Sequence, residues 1–207
     1  MIQAEYSIRD DHEDALNLPT GKYEIPFASI DRMFREDGQL YYPSSPDPEN
    51  PWVPEVFRNC RLVNGKILPC LEVEARKYRF RVLNAANALS FRPTLANGRS
   101  FPRIGTDEGL LPAPVEIKRV SIGPVERADL VVDFREHAGE QIVLINDVLP
   151  PMQFRVSRKQ IQETSSFPSA LRPMEKVPES EAVISRMLTL NEYDDLPGKP
   201  SSMLLDG

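Results

Sequence analysis

The 207-residue sequence is poor in residues that hold metals or serve as nucleophiles: it has two histidines and two cysteines. His12 sits in the acidic run DDHED and His137 in REHAGE, neither beside a second histidine or a cysteine. A zinc or mononuclear copper site takes three or four nitrogen and sulfur ligands, and no such ligand spacing is present. Both histidines read as surface side chains. No G-x-S-x-G elbow occurs, and Gly105 and Gly109 in GTDEG lack the spacing of a phosphate loop. Long apolar runs are missing too, and nothing approaches the ~20 residues that span a bilayer as a helix. Residues 1–18 are acidic and carry no apolar run after a basic start. They do not read as a secretory leader, and the compartment stays open. Excess positive charge is also lacking. The formal net charge of −6 leaves no basic footprint for nucleic acid and reads as solubility.

Proline, by contrast, is abundant. Its 20 copies are nearly double the usual share of about 5%, which argues for strands joined by loops rather than helices. Strand-like runs occur at 23–30, 60–63, 67–73, 77–84, 89–95, 115–122, 128–134, 141–146 and 152–157. Each is short, rich in β-branched or aromatic residues, and bounded by Gly, Pro, Asn or Asp. Such a series predicts an all-β sandwich or barrel. Short helices are expected at most near Asp37 or Arg158. Residues 42–54 hold five prolines and read as a surface loop. Residues 164–181 read as a polar, proline-rich tether, followed by one more strand at 185–190.

Cys60 and Cys70 flank CRLVNGKILPC, a predicted hairpin turning at Asn64-Gly65. Counting outward from the turn, Cys60 faces Pro69, so a bridge to Cys70 is strained and two buried thiols are expected. The run YRFRVLNAAN alternates, with Tyr78, Phe80, Val82 and Asn84 on one face and Arg79, Arg81 and Leu83 on the other. The arginines are expected to lay their stems over apolar neighbours and to pair with acids. Asp107, Glu108, Glu126, Asp129 and Asp133 admit an acid–base reading, yet Glu126 beside Arg127 fits an ion pair or turn at a strand entry better.

Several runs together carry a resemblance. LPTGKYEIPF, DRMFREDGQLYYP, PWVPEVF, CRLVNGKILPCLEVEARKYRFRVLNAAN, IGTDEGLLPAPV and GPVERADLVVDF occur in this order. The set resembles the middle domain of multicopper oxidases, in the branch of spore-coat laccase, bilirubin oxidase and phenoxazinone synthase. That resemblance implies a cupredoxin-like Greek-key β-sandwich, with YRFRVLNAAN as a core strand ending in a corner. The family's copper ligands come from two H-x-H motifs in its first domain and from H-x-x-H-x-H and H-C-H motifs in its third. None of these occurs here, so no catalytic, cofactor or metal residue is carried over, and Cys60 and Cys70 inherit no role. Copper is expected in a parent enzyme and not in this chain.

The layout implied is a remnant of the preceding domain or a linker at 1–17, the middle domain at 18–158, a linker at 159–184 and the start of a third domain at 185–207. The parent would oxidise phenols, pigments or metal ions and reduce dioxygen to water. Loops of the middle domain wall part of the reductant pocket in relatives. The matching residues here are Pro54, Glu55 and Phe57, and Asn146 and Met152 bounding a short connection. The partners implied are the flanking cupredoxin domains of the parent, with no nucleic acid and no membrane. Self-association is expected when the chain is isolated. A stand-alone copper-free module remains the alternative from another class. An unrelated β-sandwich glycoside hydrolase would need a carboxylate pair at the right separation.

Overall fold

The computed structural model describes residues 8–49, 51, 53, 60–147, 149–159, 161–196 and 199–205. In order these form α1 (Asp11–Ala15), β1 (Glu24–Arg32), β2 (Cys60–Val63), β3 (Lys66–Ile67), β4 (Cys70–Val73), β5 (Lys77–Asn84) and β6 (Pro93–Leu95). There follow β7 (Phe101–Thr106), β8 (Gly109–Ile117), β9 (Arg127–Asp133), β10 (Gln141–Asn146), β11 (Leu149–Val156), β12 (Leu190–Leu196) and β13 (Lys199–Leu205). Two compact units result. The first takes in the described residues of 1–42 and 57–173, the second those of 43–56 and 174–207.

The first unit is a sandwich of a seven-stranded sheet, ordered β3-β2-β1-β5-β9-β7-β8, and a four-stranded sheet, ordered β4-β11-β10-β6. β1 runs parallel to β5, and β11 parallel to β4. Strands this far apart in sequence reach parallel pairing only by crossing over, which excludes a simple meander. Alternation along the strands sends Phe27, Tyr78, Phe80, Val82, Leu130, Val132, Leu144, Met152 and Phe154 into one shared core. Phe134 packs against Phe154 at 5.1 Å between ring centroids, and Phe154 against Phe80 at 5.4 Å. The cavity left among Phe27, Phe80, Phe91 and Phe154 measures about 20 Å³, room for one water at most. The interior is packing, not a ligand chamber.

The outer face of the large sheet carries a second, smaller core of Leu18, Ile104, Leu110, Val131 and Leu171. Leu16 and Phe167 pack against it. Its cover comes from both ends of the unit. Leu16 and Leu18 follow α1, while Phe167 and Leu171 come from the run expected as a tether. The first half of that run is fastened down. The Leu171 amide donates to the Pro112 carbonyl at 2.8 Å, and the Ser166 amide to the Asn17 carbonyl at 2.8 Å. The reason is the apolar strip on β7, β8 and β9, which needs covering.

Other expectations shift. The strand expected at 67–73 is broken, because Leu68 adopts φ +45° and turns the chain from β3 in one sheet to β4 in the other. Cys60 and Cys70 thus lie in different sheets as free thiols, Cys60 half-buried and Cys70 exposed, not both buried as expected. β7 was not anticipated, since Pro102 and Gly105 dilute its pattern. Gly105 is required there: a Cβ would stand 2.9 Å from the Asp129 Cβ. The helix forms at neither Asp37 nor Arg158 but at Asp11–Ala15, where the Asp10 carboxylate caps the Glu13 amide at 2.8 Å. In the second unit the strand begins at Leu190, pairing with β13, not at Ser185.

Glu163 pins the covering run. Its carboxylate accepts from the Lys77 amide at 2.7 Å, the Ser165 amide at 2.9 Å and Arg76 Nη2 at 3.0 Å. Burial pushes this carboxyl up, but the hydrogen bonds from Ser165 and Lys77 and the Arg76 charge outweigh it and hold it at about 2. A folded pKa below the ordinary 4.5 adds stability above the unfolded value, and that stability drains as pH falls through the folded value. Glu163→Gln should therefore cost about 1–3 kcal/mol at neutral pH. It should also flatten the acid limb between pH 4.5 and about 2. Urea unfolding across that range checks this, and parallel acid limbs in the two proteins would refute it.

Candidate functional site

Charge on a buried sheet face is the first candidate. Arg79 and Arg81, two residues apart on β5, emerge on the outer face beside Asp129 of β9 and Glu24 of β1. Arg79 has no exposed surface. Its Nε donates to both Asp129 oxygens at 2.9 and 3.0 Å, its Nη2 to Asp129 Oδ2 at 2.5 Å, and its Nη1 to Glu13 Oε1 at 2.8 Å. Arg81 donates to Glu13 Oε1 at 2.6 Å and to Glu24 Oε1 at 2.7 Å, and Arg9 pairs with Glu24. Burial pushes the Glu13 carboxyl up, but the Arg79 and Arg81 charges hold it below the usual range. Each carboxylate in this cluster is tied to a guanidinium, which makes the cluster a structural ion-pair network. An open cavity of about 370 Å³ adjoins it, lined by Ile8, Glu13, Arg81, Asp107, Arg127 and Asp129. The expectation that the arginines pair with acids holds. Of the ion pair or turn expected at Glu126 and Arg127, the turn forms: Glu126 accepts from the Gly123 amide at 2.5 Å through its carboxylate and its own amide donates back to the Gly123 carbonyl at 3.1 Å, while Arg127 pairs with Asp107 at 3.0 Å.

Possible metal donors are the second candidate. His12 Nε2 lies 2.7 Å from the Leu171 carbonyl, on an exposed helix. His137 is buried, not on the surface as expected, because a 3₁₀ turn at Arg135–His137 tucks it inward. Its Nδ1 lies 2.7 Å from Glu140 Oε2. It lines a cavity of about 400 Å³ with Lys77, Arg99, Arg135, Ile142 and Phe167. Arg135 is paired there with Asp133, and Arg99 with Glu136. Among the described residues no three of His, Cys, Asp and Glu are grouped to hold a metal ion. The side chains present do not fit copper.

The third candidate is the end of the sandwich where β5 turns its corner. Asn84 is fully buried, and its Nδ2 donates to the Leu89 and Ile122 carbonyls at 2.8 and 2.9 Å. Its Oδ1 accepts from the Ala86 amide at 3.1 Å, and its carbonyl from the Val125 amide at 2.8 Å. Its own amide donates to the Glu126 carbonyl at 3.1 Å, so five groups meet one asparagine, which explains why the strand stops there. Val125 is held at φ +70°, a conformation costing a β-branched residue about 1–3 kcal/mol.

Asn146 lies at this end, its Oδ1 accepting from the Arg92 amide at 2.6 Å. Met152 faces the core instead and is 5% exposed. Pro54, Glu55 and Phe57 lie outside the described residues. Arginines not singled out in the sequence gather here. Asp147, at φ +55°, pairs with Arg119 and, at 3.6 Å, with Arg92. Arg61 on β2 lies over the Phe91 ring, 5.7 Å from its centroid. Residues 61, 92, 119 and 147 share no spacing, and only the sheet topology brings them together.

Comparison with known proteins places the chain. No family profile matches it. It is 40% identical to a laccase of Bacillus subtilis (strain 168) over 217 residues, covering 96% of this chain and 42% of that protein. It is 33% identical to multicopper oxidase LPR1 of Arabidopsis thaliana, covering 94% of this chain and 37% of that one. The structure of McoA multicopper oxidase from Aquifex aeolicus superposes with a TM-score of 0.77 at 32% identity, over 89% of this chain and 43% of that one. The chain thus spans about two-fifths of the length of the curated relatives it matches.

The charge cluster makes its own prediction. Asp129→Asn leaves the Arg79 guanidinium buried without its main counter-charge, and should cost about 3–5 kcal/mol. Denaturant unfolding measures it. A loss under about 1 kcal/mol, the scale of an exposed pair, would show that the cluster is not buried in solution.

Proposed function

The chain belongs to the multicopper oxidase family, and from that membership we propose that it serves as the copper-free middle sandwich of a laccase-like oxidase. The fold is the all-β, cupredoxin-like Greek-key sandwich of that family. On this reading residues 18–158 form the middle domain, with 1–17 and 159–184 as connections and 185–207 opening a further domain. The parent takes electrons from phenolic or pigment substrates or metal ions and reduces dioxygen to water, with copper held in flanking cupredoxin domains. This domain spaces those neighbours. Asn146 and Met152, with Pro54, Glu55 and Phe57, shape one wall of the reductant pocket, Asn146 and Met152 both from buried positions that support it.

One observation carries the reading. The family is a copper family, yet this chain's own donors are committed elsewhere: His12 to Leu171, His137 to Glu140, and the cysteines to separate sheets. Loaded with copper and then desalted, the 207-residue chain should retain no stoichiometric metal and oxidise no phenol. A blue thiolate–copper absorption band accompanied by phenol oxidation would overturn the proposal.

The reading also leaves faces that neighbours would cover. Ile67 of the two-residue edge strand β3 and the adjoining Leu68 are exposed, and Leu190, Leu204 and Leu205 are exposed on the β12–β13 pair. Bare edges and apolar side chains pair between copies. Sedimentation should show association rising with concentration. A monomer at every concentration tested would count against it.

A further inference from the structure

Arg61 stands out among the arginines. It is half-buried, and among the described residues its guanidinium has no carboxylate within ion-pairing distance. Its Nη1 donates to Ser29 Oγ at 3.2 Å, and its plane lies over Phe91. Burial pushes the Arg61 guanidinium down, and the charges of Asp31 and Asp147 only partly offset that. Asp31 stands opposite Arg61 across the β1–β2 ladder, but neither it nor Asp147 makes an ion pair with the guanidinium, so this half-buried cation keeps donors for a further anion. Its neighbours point the same way. Arg92 follows Phe91, the ring under Arg61, and its amide is fixed by Asn146. Arg92 and Arg119 are about half exposed and share Asp147 as their carboxylate. Four separate parts of the chain, β2, the loop before β6, the segment after β8 and the end of β10, meet here: Arg92 and Arg119 pair with Asp147, and Arg61 lies over Phe91, the residue before Arg92. Guanidinium forks fit a carboxylate with two parallel hydrogen bonds.

We propose that Arg61, Arg92 and Arg119 form a binding site for the carboxylate of a small anionic molecule. Only the naming of that molecule as an acidic phenol, a reductant, rests on the oxidase reading. Anion capture itself needs no copper and no neighbouring domain. The site lies beside Asn146, so a phenol held by its acid group would be presented at the proposed pocket wall.

The test titrates 4-hydroxybenzoate, phenol and inorganic phosphate into the 207-residue chain at low salt, followed by NMR shifts. 4-Hydroxybenzoate should bind and phenol should not. Arg61→Gln should weaken binding about tenfold or more, the scale of one charged hydrogen bond. Arg119→Gln, at an exposed position that folding tolerates, should weaken it too. Arg155→Gln on β11 should leave it unchanged. Phosphate bound with the same dependence on Arg61 supports the site and widens its ligand to oxoanions. No anion binding, affinity in Arg61→Gln and Arg119→Gln unchanged from the unsubstituted chain, or an equal loss in Arg155→Gln overturns it. Copper retention and phenol oxidation on the same preparation report the oxidase reading separately, so either proposal can fail without the other.

Discussion

Arg79 has no exposed surface, and its charge has to be met inside the protein. Much of the first unit is arranged around that demand. Asp129 on the neighbouring strand supplies one counter-charge, but a guanidinium has five donors, and β9 alone does not satisfy them. Glu13 completes the set from α1, 66 residues away in sequence. Holding Glu13 in place fixes α1, and α1 in turn delivers Leu16 and Leu18 to the apolar strip on the outer face. The polar cluster and the second core therefore sit side by side on one face and depend on the same chain segment. A large sheet covered on both faces explains why β5 and β9 are buried almost throughout, although their sequences alternate.

The alternation was legible because it reports the side facing the other sheet. Strands at Cys60–Val63, Lys77–Asn84 and Gln141–Asn146 fall where periodicity put them. What periodicity missed has physical causes. β7 contains a proline and a glycine, and the glycine is there because Asp129 comes too close for a Cβ. The break at Leu68 in the strand expected at 67–73 follows from a backbone conformation that leucine rarely adopts and that no residue pattern announces. The burial of His137 depends on a three-residue turn whose inward tilt only packing decides. Pairing of Arg79 with acids was readable from its position. Its partner Glu13 was not, because nothing in DDHED distinguishes the one acid that turns inward. The same holds for the Arg61, Arg92 and Arg119 group, which topology alone assembles.

The division of labour proposed for this chain follows from how it uses its polar groups. Of the carboxylates that admitted an acid–base reading, Asp107, Asp129 and Asp133 are tied to guanidiniums and Glu126 to a backbone amide. Histidines that might have bound metal are hydrogen-bonded to a carbonyl and to a carboxylate. The space between the sheets is filled by aromatic rings to within the volume of about one water. Under that proposal the chemistry belongs to the surface and to the neighbouring domains. The corner at Asn84 concentrates backbone strain and arginine charge at one end of the sandwich, where loops rather than strands set the shape.

The meeting of α1 with the 161–173 run has a consequence for how the first unit is built into a longer polypeptide. Asp10 bonds Arg172 at 2.6 Å, and the Asn17 carbonyl accepts from the Ser166 amide, so the backbone enters and leaves the sandwich at nearly one point. A unit with adjoining ends behaves like a cassette. It can be spliced in or out, or have its order of strands rotated by a short joining peptide, while the sequence on either side keeps its course.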